Sequence, residues 1–382
     1  MRIKIHDKKK FMKLFNNIFP ENKISNINGI SIDSRNIQEN DIFIPLKGKN
    51  HDGNDFINEV LVTKGTICLY EGKSNKNRII PTTSNKKIIS KFASIWRKNI
   101  NSKIIAITGS NGKTTTKELL YHILNKKFKC GKSTGNHNST IGLPLSFLKC
   151  MLDEEFTILE LGANKPGEIK ELCNIFKPNY SLITNISNAH IKNYDSLGEI
   201  TKNKADIFHF LENNQSIAFI NTNDDEITKI PLKCKNITYG INNPKAKFNG
   251  IIINNNILQI NDFNLELDNK IAHLKDMILS VYAISNTLGV SSIDFQKYLR
   301  SFSLIGGRGN IIFVNGYQII DDAYNANPAS MYLGLNRLHG MKNKNNKILI
   351  IGDMLELGNS QSYEHEKLGK YINNLDYKKK HI

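Results

Sequence analysis

The octapeptide Thr108-Gly109-Ser110-Asn111-Gly112-Lys113-Thr114-Thr115 lies between a short apolar run, Ile104-Ile105-Ala106-Ile107, and a stretch of helical spacing from Lys113 to Leu124. Strand, glycine-rich turn and helix in that order form the setting a phosphate cradle requires. Glycine lets backbone N–H groups approach phosphate oxygens, and the helix N-terminus adds partial positive charge. Lys113 is placed to meet β- and γ-phosphates, and the Thr114 hydroxyl to meet Mg²⁺. Where the longer form of such a loop begins with glycine this chain has Ile107, so the pattern is the short Gly-x-x-Gly-Lys-Thr. A glycine turn with a chance Lys-Thr is the competing reading, and the order of the flanking elements disfavours it.

A strand that feeds such a loop needs parallel neighbours, and the sequence supplies them. Phe156 to Leu161 and Tyr180 to Thr184 read as buried strands, with a helix from Gly167 to Phe176 between them. This alternation predicts an α/β fold, a doubly wound domain with a mostly parallel sheet. The stretch 235–270, rich in Asn and β-branched residues, reads as hairpins on its flank. Before it, Asp41 to Leu46 is extended, Phe56 to Leu61 has helical spacing, and Ser84 to Asn99 is an amphipathic helix carrying the only Trp, Trp96, as core or domain-interface packing rather than a ligand platform. After Gly306-Gly307-Arg308-Gly309, the runs Tyr317–Asp321 and Lys347–Ile351 read as strands, with a helix over Ala329–His339 between them and another over Tyr363–Tyr371. The expected domains are 1–100, 101–305 and 306–382, the last too thin for a complete α/β unit and so expected to be incomplete.

The net charge of +17 raises nucleic acid as a partner. The lysines are scattered, however, and no basic stripe interleaves with aromatics, so compositional bias explains the charge better. The runs Lys8-Lys9-Lys10 and Lys378-Lys379-Lys380 read as solvated ends. The five cysteines contain no Cys-x-x-Cys pair, which argues against a disulfide framework or zinc site and for a reducing cytoplasm. No apolar run is long enough to span a bilayer, and no membrane insertion is expected.

Three further residues are candidates only in company. Glu160 ends a strand, where ligands gather in open α/β sheets. His190 follows another strand, and Lys204 lies in a helical stretch from Glu199 to Leu211. Each alone reads as an ordinary surface or core residue.

Together with other strings these residues resemble the Mur ligase family, and within it the branch that adds D-alanyl-D-alanine. The resemblance rests on the short phosphate loop and on Thr134-Gly135-Asn136-His137-Asn138-Ser139-Thr140-Ile141-Gly142-Leu143-Pro144. It rests also on Glu160-Leu161-Gly162-Ala163-Asn164 with Gly167-Glu168-Ile169, on Asp321-Asp322-Ala323-Tyr324-Asn325-Ala326-Asn327-Pro328, on Gly352-Asp353-Met354-Leu355-Glu356-Leu357-Gly358, and on Asp33-Ser34-Arg35. It implies three domains: an N-terminal one gripping a UDP end, a central parallel-sheet ATPase with the phosphate loop, and a Rossmann-like, truncated C-terminal one. It implies ATP as cofactor, contacted by Gly109, Ser110, Asn111, Gly112, Lys113, Thr114, Thr115, Arg308, Asn325 and Asn327. Mg²⁺ would be held by Thr114, Glu160, His190 and Lys204, the last carbamylated by CO₂. A carbamate is anionic and supports a metal where an ammonium would repel it.

The same resemblance implies Ser34, Arg35, Thr134, Asn136 and Asn138 as substrate contacts, with Lys113, Lys204 and His190 as the catalytic set. The substrates it implies are UDP-N-acetylmuramoyl-tripeptide and D-alanyl-D-alanine, with no specific nucleic acid partner and a monomeric state. Ser139 and the segment Asp276 to Ser280 depart from the family pattern, which concerns a substrate contact and the adenine contact. A sister ligase adding the third peptide residue, one extending folate with glutamate, or a non-catalytic nucleotide-binding homologue, are the alternatives. Asn325-Ala326-Asn327-Pro328 argues against both sister ligases.

Overall fold

The computed structural model describes residues 1–48, 50–135, 137–150, 153–187, 194, 196–213, 216–341 and 347–375. The chain divides into two compact units. The first comprises Met1–Ala106, Phe128–Ala163 and Lys170–Pro178; the second comprises Ile107–Lys127, Asn164–Ile169 and everything from Asn179.

The first unit opens with a five-stranded sheet, β1 (Arg2–Lys4), β2 (Gly29–Ser31), β3 (Asp41–Phe43), β4 (Ile67–Glu71) and β5 (Ile79–Thr82), in sequential order. Only the β1–β2 pair is antiparallel. Three helices accompany it, α1 (Lys8–Ile18), α2 (Ile57–Val60) and α3 (Asn85–Lys98). Phe11 and Phe15 of α1 pack on Phe92 of α3, the Phe11–Phe92 ring centroids being 5.4 Å apart. Trp96 is 2% exposed, and its indole N–H donates to the Cys150 carbonyl at 3.4 Å. It is core, as the amphipathic spacing of its helix predicts.

Parallel strands carry the middle of the chain. They are β6 (Lys103–Thr108), β7 (Cys130–Lys132), β8 (Phe156–Glu160), β9 (Tyr180–Ile183), β10 (Ile217–Asn221) and β11 (Lys235–Ile241), followed by β12 (Phe248–Asn254), β13 (Ile257–Ile260) and β14 (Phe263–Glu266). The strand order is β14-β13-β12-β11-β10-β9-β6-β8-β7. The interleaved helices are α4 (Lys113–Leu124), α5 (Gly142–Phe147), α6 (Glu168–Phe176), α7 (Leu197–His209), α8 (Asp225–Thr228), α9 (Lys275–Thr287) and α10 (Ser292–Leu299). Strand β6 is apolar from Ile104 to Ile107 and buried there on both faces, as parallel strands covered by helices must be. The hairpin expectation for 235–270 needs correction at its start: β11 runs parallel to β10, and the antiparallel pairing begins only with β12 and β13. Periodicity alone does not separate a buried parallel strand from a hairpin arm.

The third stretch holds β15 (Asn310–Val314), β16 (Tyr317–Asp321), α11 (Pro328–Gly340) and α12 (Gln361–Asn374). The two strands form an antiparallel hairpin. The expected strand at Lys347–Ile351 does not form, and with it the expected βαβ unit. An apolar run becomes a strand only when a neighbour takes its hydrogen bonds. Here β15 and β16 pair with each other, and Ile350 is 89% exposed. Leu335, Met354, Leu357 and Leu368 form a small core joining the two helices. All five cysteines are buried, and burial pushes Cys68 and Cys130 up to about 12, which leaves them poor nucleophiles. Among the described residues, no helix is long and apolar enough to cross a membrane.

Candidate active site

The phosphate loop occupies the turn from β6 into α4, as its sequence predicts. Gly109 has φ +148° and Gly112 has φ +78°, values that side chains other than glycine rarely adopt. A Cβ on Gly109 would also run into the Thr184 side chain. The loop is braced by the chain just after β9. Thr184 N donates to Thr108 O at 2.9 Å, and Ser110 N to Asn185 O at 2.9 Å. Asn111 N donates to Asn185 Oδ1 at 3.0 Å, while the Thr184 hydroxyl donates to Asn111 O at 2.6 Å. Ser110 and Ser187 exchange two bonds, at 3.0 and 2.9 Å. Sequence reasoning missed Thr184, Asn185 and Ser187; the signal available was a strand end followed by short polar residues. The Lys113 ammonium curls back over the loop, donating to Gly109 O at 2.8 Å and Ser110 O at 3.1 Å. Thr114 and Thr115 are buried in the first turn of α4.

Lys204 lies on α7, whose N-cap is Ser196, and only 7% of it is exposed. Burial first, and the charge on Lys113 second, bring its pKa down to about 7. At neutral pH roughly half of such amines are uncharged, against about one in three thousand for an ordinary lysine. Its neighbour Asn203 fixes the helix locally. Asn203 accepts from Gly167 N at 2.9 Å and donates to the Tyr194 hydroxyl at 2.8 Å.

In the first unit, Glu160 closes β8 and is 2% exposed. Its backbone N–H donates to the Ser133 hydroxyl at 3.1 Å, and its carboxylate accepts from Asn138 Nδ2 at 2.8 Å. Gly162 makes this approach possible, since a Cβ there would lie 2.6 Å from the Asn138 carboxamide carbon. Asn138, expected as a substrate contact, is also a partner of the carboxylate. Thr134 is exposed. In the same unit Asp33 accepts from Arg35 at 2.8 Å, and this bond holds its carboxyl well below the usual range. Ser34 is half-buried beside it.

Of the remaining expected residues, Arg308 stacks on the Tyr324 ring with its guanidinium carbon 3.7 Å from the centroid. Asn325 is exposed, whereas Asn327 is buried and caps α11. His190 and Asn136 lie outside the described residues. By chemistry alone, the Thr114 hydroxyl of the second unit and the Glu160 carboxylate of the first are each oxygen donors of the kind a hard cation takes, and the Lys204 amine of the second unit is neutral enough to take up CO₂. Among the described residues no group of three His, Cys, Asp or Glu could hold a metal by itself.

A short phosphate loop on a parallel sheet, with a buried lysine whose pKa is lowered by burial and by the loop lysine, defines the class as a nucleotide-binding α/β protein. Family models place it further: the Mur ligase middle domain matches residues 107–293, the Mur ligase glutamate ligase domain 307–378, and the Mur ligase family catalytic domain 26–104. The chain belongs to the Mur ligase family. The UDP-N-acetylmuramoyl-tripeptide--D-alanyl-D-alanine ligase of Rickettsia prowazekii is 35% identical, over 91% of this chain and 80% of the relative. The crystal structure of MurF from Acinetobacter baumannii matches with a TM-score of 0.85 at 25% identity, over 96% of this chain and 84% of that one. MurF from Thermotoga maritima in complex with ADP matches with a TM-score of 0.81 at 30% identity, over 91% of this chain and 82% of that one.

Proposed function

We propose that this chain is an ATP-dependent ligase of peptidoglycan precursor synthesis that joins D-alanyl-D-alanine to UDP-N-acetylmuramoyl-tripeptide. The observation that carries this reading is the agreement of relatives bearing that activity in their names with a braced phosphate loop whose Lys113 shares its field with the half-neutral Lys204. ATP use is supported by the ADP-bound relative at 30% identity.

The chemistry proceeds in two steps. The terminal carboxylate of the tripeptide attacks the γ-phosphorus of ATP; an O–P bond forms, the bridging O–P bond breaks, and ADP leaves. The amine of D-alanyl-D-alanine then attacks the acyl carbon. The tetrahedral intermediate expels phosphate, and the amine proton is lost to give the amide. Lys113 offsets charge on the transferring phosphoryl group, and the loop N–H groups and the α4 N-terminus hold the remaining oxygens. The neutral Lys204 amine adds to CO₂, forming an N–C bond and releasing one proton. The carbamate, Thr114, Glu160 and His190 would hold Mg²⁺, which neutralises phosphate charge when bound. Arg308 would leave Tyr324 to meet the phosphates. Gly109, Ser110, Asn111, Gly112 and Thr115 line the nucleotide cradle, with Asn325 exposed nearby in sequence to Arg308's ring partner. Ser34, Arg35, Thr134, Asn136 and Asn138 remain the proposed substrate contacts.

The test is ADP release by purified protein given ATP, Mg²⁺ and UDP-tripeptide, with the amine acceptor varied. Release that depends on D-alanyl-D-alanine and not on diaminopimelate, lysine or glutamate is the expected result. Dependence on one of the other amines would assign a sister activity, and silence with all of them a nucleotide-binding role without turnover.

A further inference from the structure

Asn327 has both ends of its carboxamide committed to protein. Its Oδ1 accepts from Ser330 N at 3.1 Å, and Ser330 Oγ in turn accepts from Asn327 N at 3.1 Å, a reciprocal cap on α11 with Pro328 at the first helical position. Its Nδ2 donates to Asn111 Oδ1 at 2.6 Å, across 216 residues of sequence. Asn111 stands two residues before Lys113, at the tip of the phosphate loop. The other side of Asn111 is already held, its N–H by Asn185 Oδ1 at 3.0 Å and its carbonyl by the Thr184 hydroxyl at 2.6 Å. The Asn327 bond is therefore what ties the side chain of the loop tip to the last domain.

We propose that Asn327 is a positioning residue that latches the N-terminus of α11 onto Asn111, so that the last domain sets the conformation of the phosphate loop rather than touching the nucleotide through Asn327. The idea rests on the nucleotide reading above for its consequence, though not for the latch itself. A neutral hydrogen bond of this kind contributes enough to change a loop equilibrium by about three- to tenfold. The N-cap geometry also supplies a clean way to break it. Serine caps a helix about as well as asparagine, but its hydroxyl is too short to reach Asn111.

Two measurements on Asn327→Ser, Asn111→Ala and the double variant test the latch. Amide exchange without nucleotide should quicken at Ser110 and Asn111 in Asn327→Ser while α11 keeps its protection. The affinity for a fluorescent ADP analogue should fall by about three- to tenfold in each single variant, and the double variant should be no weaker than Asn111→Ala alone. A direct contact between Asn327 and nucleotide would instead make the two losses add, and that result overturns the proposal. Unchanged exchange at the loop in Asn327→Ser overturns it as well. If exchange quickens but the parent protein binds no analogue, the latch stands and the nucleotide reading is what fails.

Discussion

Lys204 is where the proposed chemistry and the physics of burial meet in one side chain. Burial penalises the protonated amine, so its pKa falls to about 7 from 10.5. Below pH 7 the folded chain carries the charge and bears the whole penalty. Between the two values the unfolded chain binds the proton and the folded chain does not, so stability rises with pH, and above 10.5 the penalty is gone. Replacing Lys204 by Met should therefore raise the melting temperature in buffer stripped of CO₂, and by more at about pH 6.5 than at about pH 9.5. A gain that grows with pH would contradict the assignment. The same side chain gives an activity prediction: Lys204→Ala should lose turnover and regain part of it with small carboxylates, which stand in for the carbamate anion. Full activity without rescue would remove the carbamate from the mechanism. Lys113→Ala, by contrast, should abolish ADP formation yet leave binding of the UDP precursor intact by calorimetry, because its ammonium lies over the phosphate loop, beside the carbonyls of Gly109 and Ser110, where the proposed phosphoryl transfer takes place.

The turns at the strand ends decide how well the site is built. After β8, Gly162 admits the Asn138 carboxamide, which donates to the buried Glu160 carboxylate at 2.8 Å. Gly162→Ala should push Asn138 away and leave that carboxylate short of a donor. A hydrogen bond to a charged group is worth enough for kcat/KM to fall by about ten- to a hundredfold, with Mg²⁺ dependence shifted to higher concentration. Wild-type kinetics in this variant would show that the Asn138 contact is incidental. The phosphate loop was legible in the sequence because everything it needs is local: Ile104–Ile107 for the strand, two glycines for the turn, Lys113–Leu124 for the helix. The Asn138–Glu160 and Asn111–Asn327 contacts were not legible, because a carboxamide is as good on a surface as in a contact and only the fold brings the partners together. Lys347–Ile351 misled for a related reason. Its apolar run satisfies strand propensity, yet pairing partners, not propensity, make a strand.

Over the whole molecule, apolar surface is distributed unevenly. The five-stranded sheet and the central sheet bury their Ile, Leu and Phe residues almost completely. The last domain exposes Phe313 (73%), Ile348 (61%), Ile350 (89%) and Leu355 (66%). Among the described residues its sheet is one hairpin, and a hairpin alone is marginal in water. Single exposed apolar residues are ordinary, whereas a contiguous exposed apolar patch is a surface that associates. Because Ile350 touches almost nothing, Ile350→Lys should change unfolding stability by no more than about 0.5 kcal/mol. Paired with Phe313→Lys, it should lower binding of a hydrophobic dye and suppress concentration-dependent light scattering, while ADP formation is retained. A drop of several degrees in melting temperature for Ile350→Lys would instead mean that the residue is packed in solution. The physical contrast is direct: in the core, where Leu335 and Leu368 join α11 to α12, the same exchange to lysine would bury an unpaired charge and cost several kcal/mol, so the ratio of the two effects measures how much of the last domain's apolar content does structural work.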